Sequence, residues 1–274
     1  MLTLNRPLKV AVLCSHRAPG LLHLLNRDHE RGRLFDVVCC LTSERTFAEE
    51  VRVERRGVPT LSHSIQNFHA RRGASVCRDP SVRAEYDAKT VTLLEPYAPD
   101  LVLLDGYLYL VTEPLLAAFR ARVLNLHFAD LAERTPEGGP AFPGIRAVRD
   151  ALAAGRTETR ATVHLVNAEP DGGTPVLRSW PFPAAPLLGD VLAWRALDVF
   201  KAYAFAHQGW MMRGASGPML SAALRLVSLR KVDLELLAAS APASVVPWEL
   251  DERGVLTGPP AVAAIGPREL ALRA

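Results

Sequence analysis

The chain has 274 residues, 49% of them hydrophobic and 22% charged, and its 32 basic and 29 acidic residues leave a net charge of +3. This composition excludes a disordered chain, and so mild a basic excess gives no electrostatic footprint for nucleic acid. The length holds one large α/β domain or two small ones with a substantial core, and the longest apolar runs, such as residues 101–104, are too short to span a bilayer.

The opening MLTLNRPLKVAVL lacks a secretory layout and reads as a first strand, so a cytoplasmic protein is expected. Cys14, Cys39, Cys40 and Cys77 form no C-x-x-C pair and read as inert thiols packed like small hydrophobes. The basic stretches 52–56 and 71–83 are interrupted by acids or small residues, and read as solvated helix faces or loops.

Residues 9–14 (KVAVLC) form a nearly continuous apolar run, as in a strand buried on both faces. A helix is expected over 21–26, a strand over 35–41, a helix over 44–56 and a strand over 58–61. Then follow a helix over 82–97, a strand over 101–104, a helix over 113–121, a strand over 122–127 and a helix over 144–155 stopped by Gly155. Residues 162–166 and 175–180 flank a short Gly-rich turn and should pair antiparallel. Helices are expected over 190–212 and 221–232, with Gly214 and Gly217-Pro218 as breaks, and the aromatics and His207 of the first are assigned to the core. Beyond residue 238 the pattern is weak and fits a short strand pair or a partly ordered extension.

This alternation predicts an α/β fold: an open, mostly parallel, Rossmann-like sheet with helices on both faces and a mainly helical C-terminal extension. The division expected is residues 1–213 for the α/β domain and 214–274 for the extension packed on it.

No G-x-G-x-x-G, Walker A loop, G-x-S-x-G elbow or H-E-x-x-H is present. The informative segment is Val123-Leu124-Asn125-Leu126-His127. Residues two apart on a strand share a face, so Asn125 and His127 project together at a strand's carboxyl end, where α/β sheets build their sites. Asp171 lies in a Gly-rich turn past the next strand, and terminal loops of neighbouring strands reach one crevice, which brings Asp171 towards His127. Taken singly, each has a plainer reading: Asn125 as a cap, His127 as a surface residue, Asp171-Gly172 as turn chemistry. The remaining histidines show no ligand spacing; His164, mid-strand, is expected to be buried, satisfied and without a role.

Three separated elements, in order, carry a resemblance: Asn125-Leu126-His127, then Phe142-Pro143-Gly144 ahead of a helix, then Asp171-Gly172-Gly173. With Ala98-Pro99-Asp100 and Leu103-Leu104-Asp105-Gly106-Tyr107 upstream, the stretch from 101 to 180 resembles the folate-dependent formyltransferase family. The resemblance implies a transferase of one-carbon metabolism that uses 10-formyltetrahydrofolate as donor, requires no metal and passes the formyl group to a small-molecule amine. It implies no nucleic-acid or membrane partner and admits a homo-oligomer. Asn125 and His127 would stabilise the oxyanion formed when the amine attacks; Asp171 would orient His127, favour its protonated form and assist proton transfer. The donor would lie against main chain of Leu104, Asp105, Gly106, Tyr107, Leu108, Tyr109, Leu110 and Val111. A formyltetrahydrofolate hydrolase, a glycinamide ribonucleotide formyltransferase and a catalytically silent binding protein on the same scaffold are the competing readings.

Two departures from the family pattern stand out. The connection from 128 to 142 is long and holds Pro136, Gly138, Gly139 and Pro140, which suggests a lid. The turn after the first strand, His16-Arg17-Ala18-Pro19-Gly20, lacks the Gly-Ser-Asn by which glycinamide ribonucleotide formyltransferases hold a phosphate, so a different acceptor is expected.

Overall fold

The computed structural model describes residues 6–27, 30–76 and 78–259. Its first half runs β1 (Leu8–Cys14), α1 (Leu21–Leu25), β2 (Phe35–Thr42), α2 (Glu50–Glu54), β3 (Thr60–Ser62), α3 (Ile65–Ala70), α4 (Pro80–Leu94), β4 (Leu101–Leu104), α5 (Glu113–Ala118) and β5 (Val123–His127). The second continues through α6 (Ala147–Ala153), β6 (Glu158–Thr159), β7 (Thr162–Leu165), β8 (Pro175–Arg178), β9 (Phe182–Pro183), α7 (Leu188–Ala193), α8 (Leu197–Ser228), α9 (Leu234–Ala239), β10 (Trp248–Leu250) and β11 (Leu256–Thr257).

One nine-stranded sheet takes the order β11-β10-β8-β7-β5-β4-β1-β2-β3. Strands β1 to β5 pair parallel, β7 runs antiparallel to β5 and β8, and β10 pairs parallel with β8. The pleat of β1 shows why both faces are covered. Val10, Val12 and Cys14 enter one core with α1 and α8, while Ala11 and Leu13 enter a second with α4 and α5. Because β2 and β3 extend the sheet one way from β1 and β4 the other, chain order reverses between β1 and β4. That reversal opens the crevice in which such sheets hold ligands.

Several expectations need correction. Residues 197–228 form one helix across both expected breaks, and the boundary drawn at 213 falls inside it. An interior proline removes a helical hydrogen bond and costs about 3 kcal/mol in isolation. Here packing offsets it: Ala215, Ser216, Gly217, Met219, Leu220, Ala222 and Ala223 are all buried. Gly217 marks a close approach, not a stop, since a Cβ there would run into the His23 ring of α1. Of the aromatics assigned to the core, Phe200 is buried, but Trp194, Phe205 and Trp210 are exposed. The helix starts seven residues later than expected, and Arg195 adopts a left-handed turn that places Trp194 outside it.

The helix expected over 44–56 shrinks to α2 because Ser43 and Ala48 donate their N–H groups to the β1 end, at Cys14 O (2.9 Å) and His16 O (3.0 Å). Helix α3 was not anticipated; its signal is the Ser64 cap, which accepts from the Asn67 N–H at 3.3 Å. The strand pair expected near the end is β10–β11. Cys14, Cys39 and Cys40 are free and buried, and burial pushes the Cys39 thiol up to about 12; Cys77 lies outside the described residues. Among the described residues no helix is long and apolar enough to cross a membrane.

Candidate active site

Strand β5 ends beside a cleft of about 220 Å³, and Asn125 and His127 both line it. Leu124 and Leu126 point into the core on the other face, so the period-2 reading of this strand holds. Opposite them runs β7, with Asn125 paired to His164 and His127 to Thr162. Since β7 is antiparallel, its end does not emerge beside His127, contrary to the expected route for Asp171. The 166–174 segment instead folds back, with Leu165 N–H donating to Thr174 O (2.8 Å) and Val166 N–H to Val123 O (2.9 Å). A Cβ at Gly173 would overlap the Leu165 carbonyl oxygen, so this return needs glycine. Asp171 sits at φ 51°, a left-handed conformation that Asp tolerates better than most residues.

The result is a tight group. Asp171 Oδ1 lies 3.4 Å from His127 Nδ1 and 3.7 Å from His164 Nε2. Its Oδ2 accepts from Gly144 N–H at 2.7 Å, which ties the Pro143-Gly144 turn to the same carboxylate. The other ring nitrogen of His127 donates to Phe142 O at 3.3 Å.

His164 is the residue that sequence reasoning passed over. It is buried and satisfied, as expected, but it touches the group directly. Its Nδ1–H donates to Leu165 O (3.2 Å), which leaves Nε2 as an acceptor for the Asn125 amide at 3.0 Å. Burial pushes the His164 pKa down to about 4, helped by the neighbouring His127, so the ring is neutral and keeps its acceptor lone pair. One Asn125 N–H is thereby fixed, and the second is free to serve the cleft. The available signal was register: an antiparallel neighbour of the N-x-H strand places its central residue opposite the Asn.

The wall of the cleft is the irregular segment after β4. Leu104, Gly106, Tyr107, Leu108, Tyr109, Leu110 and Val111 line it, and Leu108 and Leu110 are exposed at its mouth. Asp105 does not line it. Its carboxylate is fully buried and faces the turn after β1, where Oδ2 accepts from Gly20 N–H (2.8 Å) and Leu21 N–H (2.9 Å). Alternation explains the turn-away, since Asp105 is one residue past Leu104 and takes the opposite face. Burial raises its pKa to about 7 against the lowering effect of those two amides. The same turn gives its Ala18 N–H to Glu49 Oε2 at 2.9 Å.

The connection expected to act as a lid is fastened along its length. Leu131 N–H donates to Thr162 Oγ1 (3.1 Å), Asp130 pairs with Arg178 (3.0 Å), Glu133 pairs with Arg156, and Arg134 donates to Gly173 O (3.3 Å). Its tip is a small hairpin, bridged between Arg134 and Pro140. Among the described residues no group of three or more His, Cys, Asp or Glu side chains is placed to hold a metal.

The sequence model described as Formyl transferase matches residues 8–181, well beyond the 101–180 stretch that carries the motifs. Phosphoribosylglycinamide formyltransferase of Mycobacterium tuberculosis is 39% identical over 105 residues, covering 38% of this chain and 45% of the relative. The trifunctional purine biosynthetic protein adenosine-3 of Drosophila melanogaster is 28% identical over 188 residues, which is 68% of this chain but only 12% of that protein. Among solved structures, glycinamide ribonucleotide transformylase 1 from Symbiobacterium toebii superposes with a TM-score of 0.59 at 26% identity, over 83% of this chain and 90% of that one. A formyltetrahydrofolate deformylase from Pseudomonas syringae shares the fold, with a TM-score of 0.61 at 19% identity over 84% of this chain and 64% of that one. A family match over more than half of the chain, on this fold, makes the protein a member of the formyl transferase family.

Proposed function

We propose that the chain transfers the formyl group of 10-formyltetrahydrofolate to an amine of a small-molecule acceptor other than glycinamide ribonucleotide. The observation that carries this reading is the convergence of Asn125, His127 and Asp171 in one cleft, beside the main-chain wall from Leu104 to Val111. The donor lies against that wall with its formyl carbon near the β5 end. When the amine attacks, negative charge gathers on the formyl oxygen. The free Asn125 N–H and the His127 Nε2–H, turned from the long contact with Phe142 O, stabilise it. Asp171 fixes the opposite ring nitrogen and takes the proton released by the attacking amine. The new C–N bond forms, the bond to the folate nitrogen breaks, and that nitrogen leaves with a proton. His164 is a positioning residue, holding the Asn125 amide.

The acceptor is argued from the turn after β1. Relatives named for phosphoribosylglycinamide favour a phosphorylated acceptor held at this turn. Here its amides already serve two internal carboxylates: Ala18 N–H goes to Glu49, and Gly20 and Leu21 N–H go to Asp105. A phosphate there would displace these partners and face the Glu49 carboxylate and the partly ionised Asp105. The test offers 10-formyltetrahydrofolate with glycinamide ribonucleotide, with a panel of other primary amines, and with water alone. The reading requires formylated product from the panel. A kcat/KM of about 10⁴ M⁻¹s⁻¹ or more on glycinamide ribonucleotide would overturn the acceptor, and release of formate without any amine dependence would make the enzyme a hydrolase.

A further inference from the structure

We propose that Arg83 and Asp87, a buried ion pair on α4, are positioning residues for the formyl donor because they set the shape of the cleft wall. The proposal rests on the donor reading above. Arg83 lies in the basic stretch expected to be solvated, yet the side chains of the pair are 8% and 0% exposed and meet at 2.6 Å. An enclosed ion pair is weak evidence for stability, since desolvation takes back much of the attraction. What distinguishes this pair is where its remaining bonds go.

The hydrogen bonds run to the wall and to Thr112 just past it. Arg83 Nη2 donates to the Leu110 carbonyl oxygen and to the Tyr107 hydroxyl (3.2 Å). Asp87 Oδ2 accepts from both the N–H and the Oγ1–H of Thr112, each at 2.6 Å. The near end of the wall is held differently, by Ser15: its N–H donates to Gly106 O (3.2 Å), and its Oγ accepts from Leu108 N–H (3.1 Å). The segment between β4 and α5 has no helix or strand of its own to hold it. Leu108 is tied to Ser15 and Tyr109 to Glu44 (3.3 Å), so it is the far end, from the exposed Leu110 to Thr112, that depends on the α4 pair. The guanidinium fork matters, because one Lys ammonium cannot bond Asp87, Tyr107 and Leu110 together in that planar geometry.

The experiment uses the full chain, Arg83→Lys, and the double variant Arg83→Met/Asp87→Leu, which removes both charges at once and leaves neither buried alone. We expect both variants to fold. Amide exchange over residues 106–112 of the ligand-free protein should accelerate by about tenfold or more. The KM for 10-formyltetrahydrofolate should rise about fivefold or more while kcat stays within about twofold. Arg83→Lys should lie between wild type and the double variant. A folded double variant with wild-type exchange at 106–112 overturns the clamp. Faster exchange with unchanged donor KM, in an enzyme whose wild type turns over 10-formyltetrahydrofolate, overturns the donor role alone. Wild-type protein that never turns over this donor overturns the reading of function, and the exchange measurement still judges the clamp.

Discussion

Two turns at the ligand-bearing side of this sheet use the same residue type to opposite ends. After β1, Asp105 reaches into the turn, is fully buried and holds two backbone amides on Oδ2 alone. Beside β5, Asp171 occupies the 166–174 return, keeps one oxygen on Gly144 N–H and turns the other towards His127 and His164 at the cleft. The first turn is closed by the chain itself; the second is left open to a ligand. Asp105 Oδ1 is buried without a hydrogen-bond partner yet faces no cleft, whereas Asp171 borders the cleft, so a carboxylate is a site residue here through what it faces, not through its place at a strand end.

The sharpest way to break this comparison is to remove each carboxylate in turn. Asp171→Ala, like Asn125→Ala and His127→Ala, should lower kcat by about 10²–10³, the usual loss for one oxyanion-type donor or its support. Unfolding midpoints should barely change. Steady-state kinetics beside thermal melts check this, and a wild-type kcat for Asp171→Ala would remove it from the mechanism.

Gly173→Ala tests how Asp171 is brought to the cleft. The new Cβ meets the Leu165 carbonyl, so the return must shift, and about 2 kcal/mol or more of stability should be lost together with turnover. A stable, active Gly173→Ala protein would show that the return is not rigid.

Asp105→Ala should give the inverse of Asp171→Ala. It leaves Gly20 N–H buried without its partner and Leu21 N–H with only Ala18 O (3.2 Å), a loss of about 1–3 kcal/mol, while kcat and donor KM hold. Chemical denaturation measures the first and kinetics the second. A large rise in donor KM would mean that Asp105 belongs to the donor site after all.

The smallest effect is in pH. Burial lowers the folded pKa of His63 and His164 to about 4, from an ordinary 6.5, so the unfolded chain binds more protons between those values. Their contribution to stability is present above pH 6.5 and lost as pH falls towards 4. Asp105 opposes them: its folded pKa of about 7 lies above the ordinary 3.8, so its contribution falls as pH rises from 3.8 to 7. Burial also lowers His23 and His207 and raises Asp87, so four histidines stand against two carboxyls, and stability should rise with pH between 4 and 6.5. Asp105→Asn should steepen that rise and His164→Asn should flatten it, as read from melting temperature against pH.

What was legible in the sequence is what local spacing determines. The period-2 pattern put Asn125 and His127 on one face, the Asp-Gly-Gly run announced a turn, and the strand–helix alternation predicted an open, mostly parallel sheet. What escaped depends on partners distant in sequence. Asp105 and Leu104 are neighbours in a motif, yet the pleat sends them to different faces, and only the turn at Gly20 explains the buried carboxylate. Arg83 reads as one cation among several until Asp87 and the wall are placed around it. Gly217 and Pro218 read as a break because propensity is local, whereas the burial that keeps α8 continuous comes from α1 and the sheet.

The central claim is that the Asn125–His127–Asp171 group performs formyl transfer from 10-formyltetrahydrofolate. The most direct measurement is a single-turnover reaction of the isotopically labelled formyl donor with the amine panel, run in parallel on wild type and His127→Ala. Wild type should move the label into an N-formyl product, and His127→Ala should do so about 10²–10³ times more slowly with the donor still bound. Equal rates in the two proteins, or label that never leaves the folate in wild type, would contradict the account.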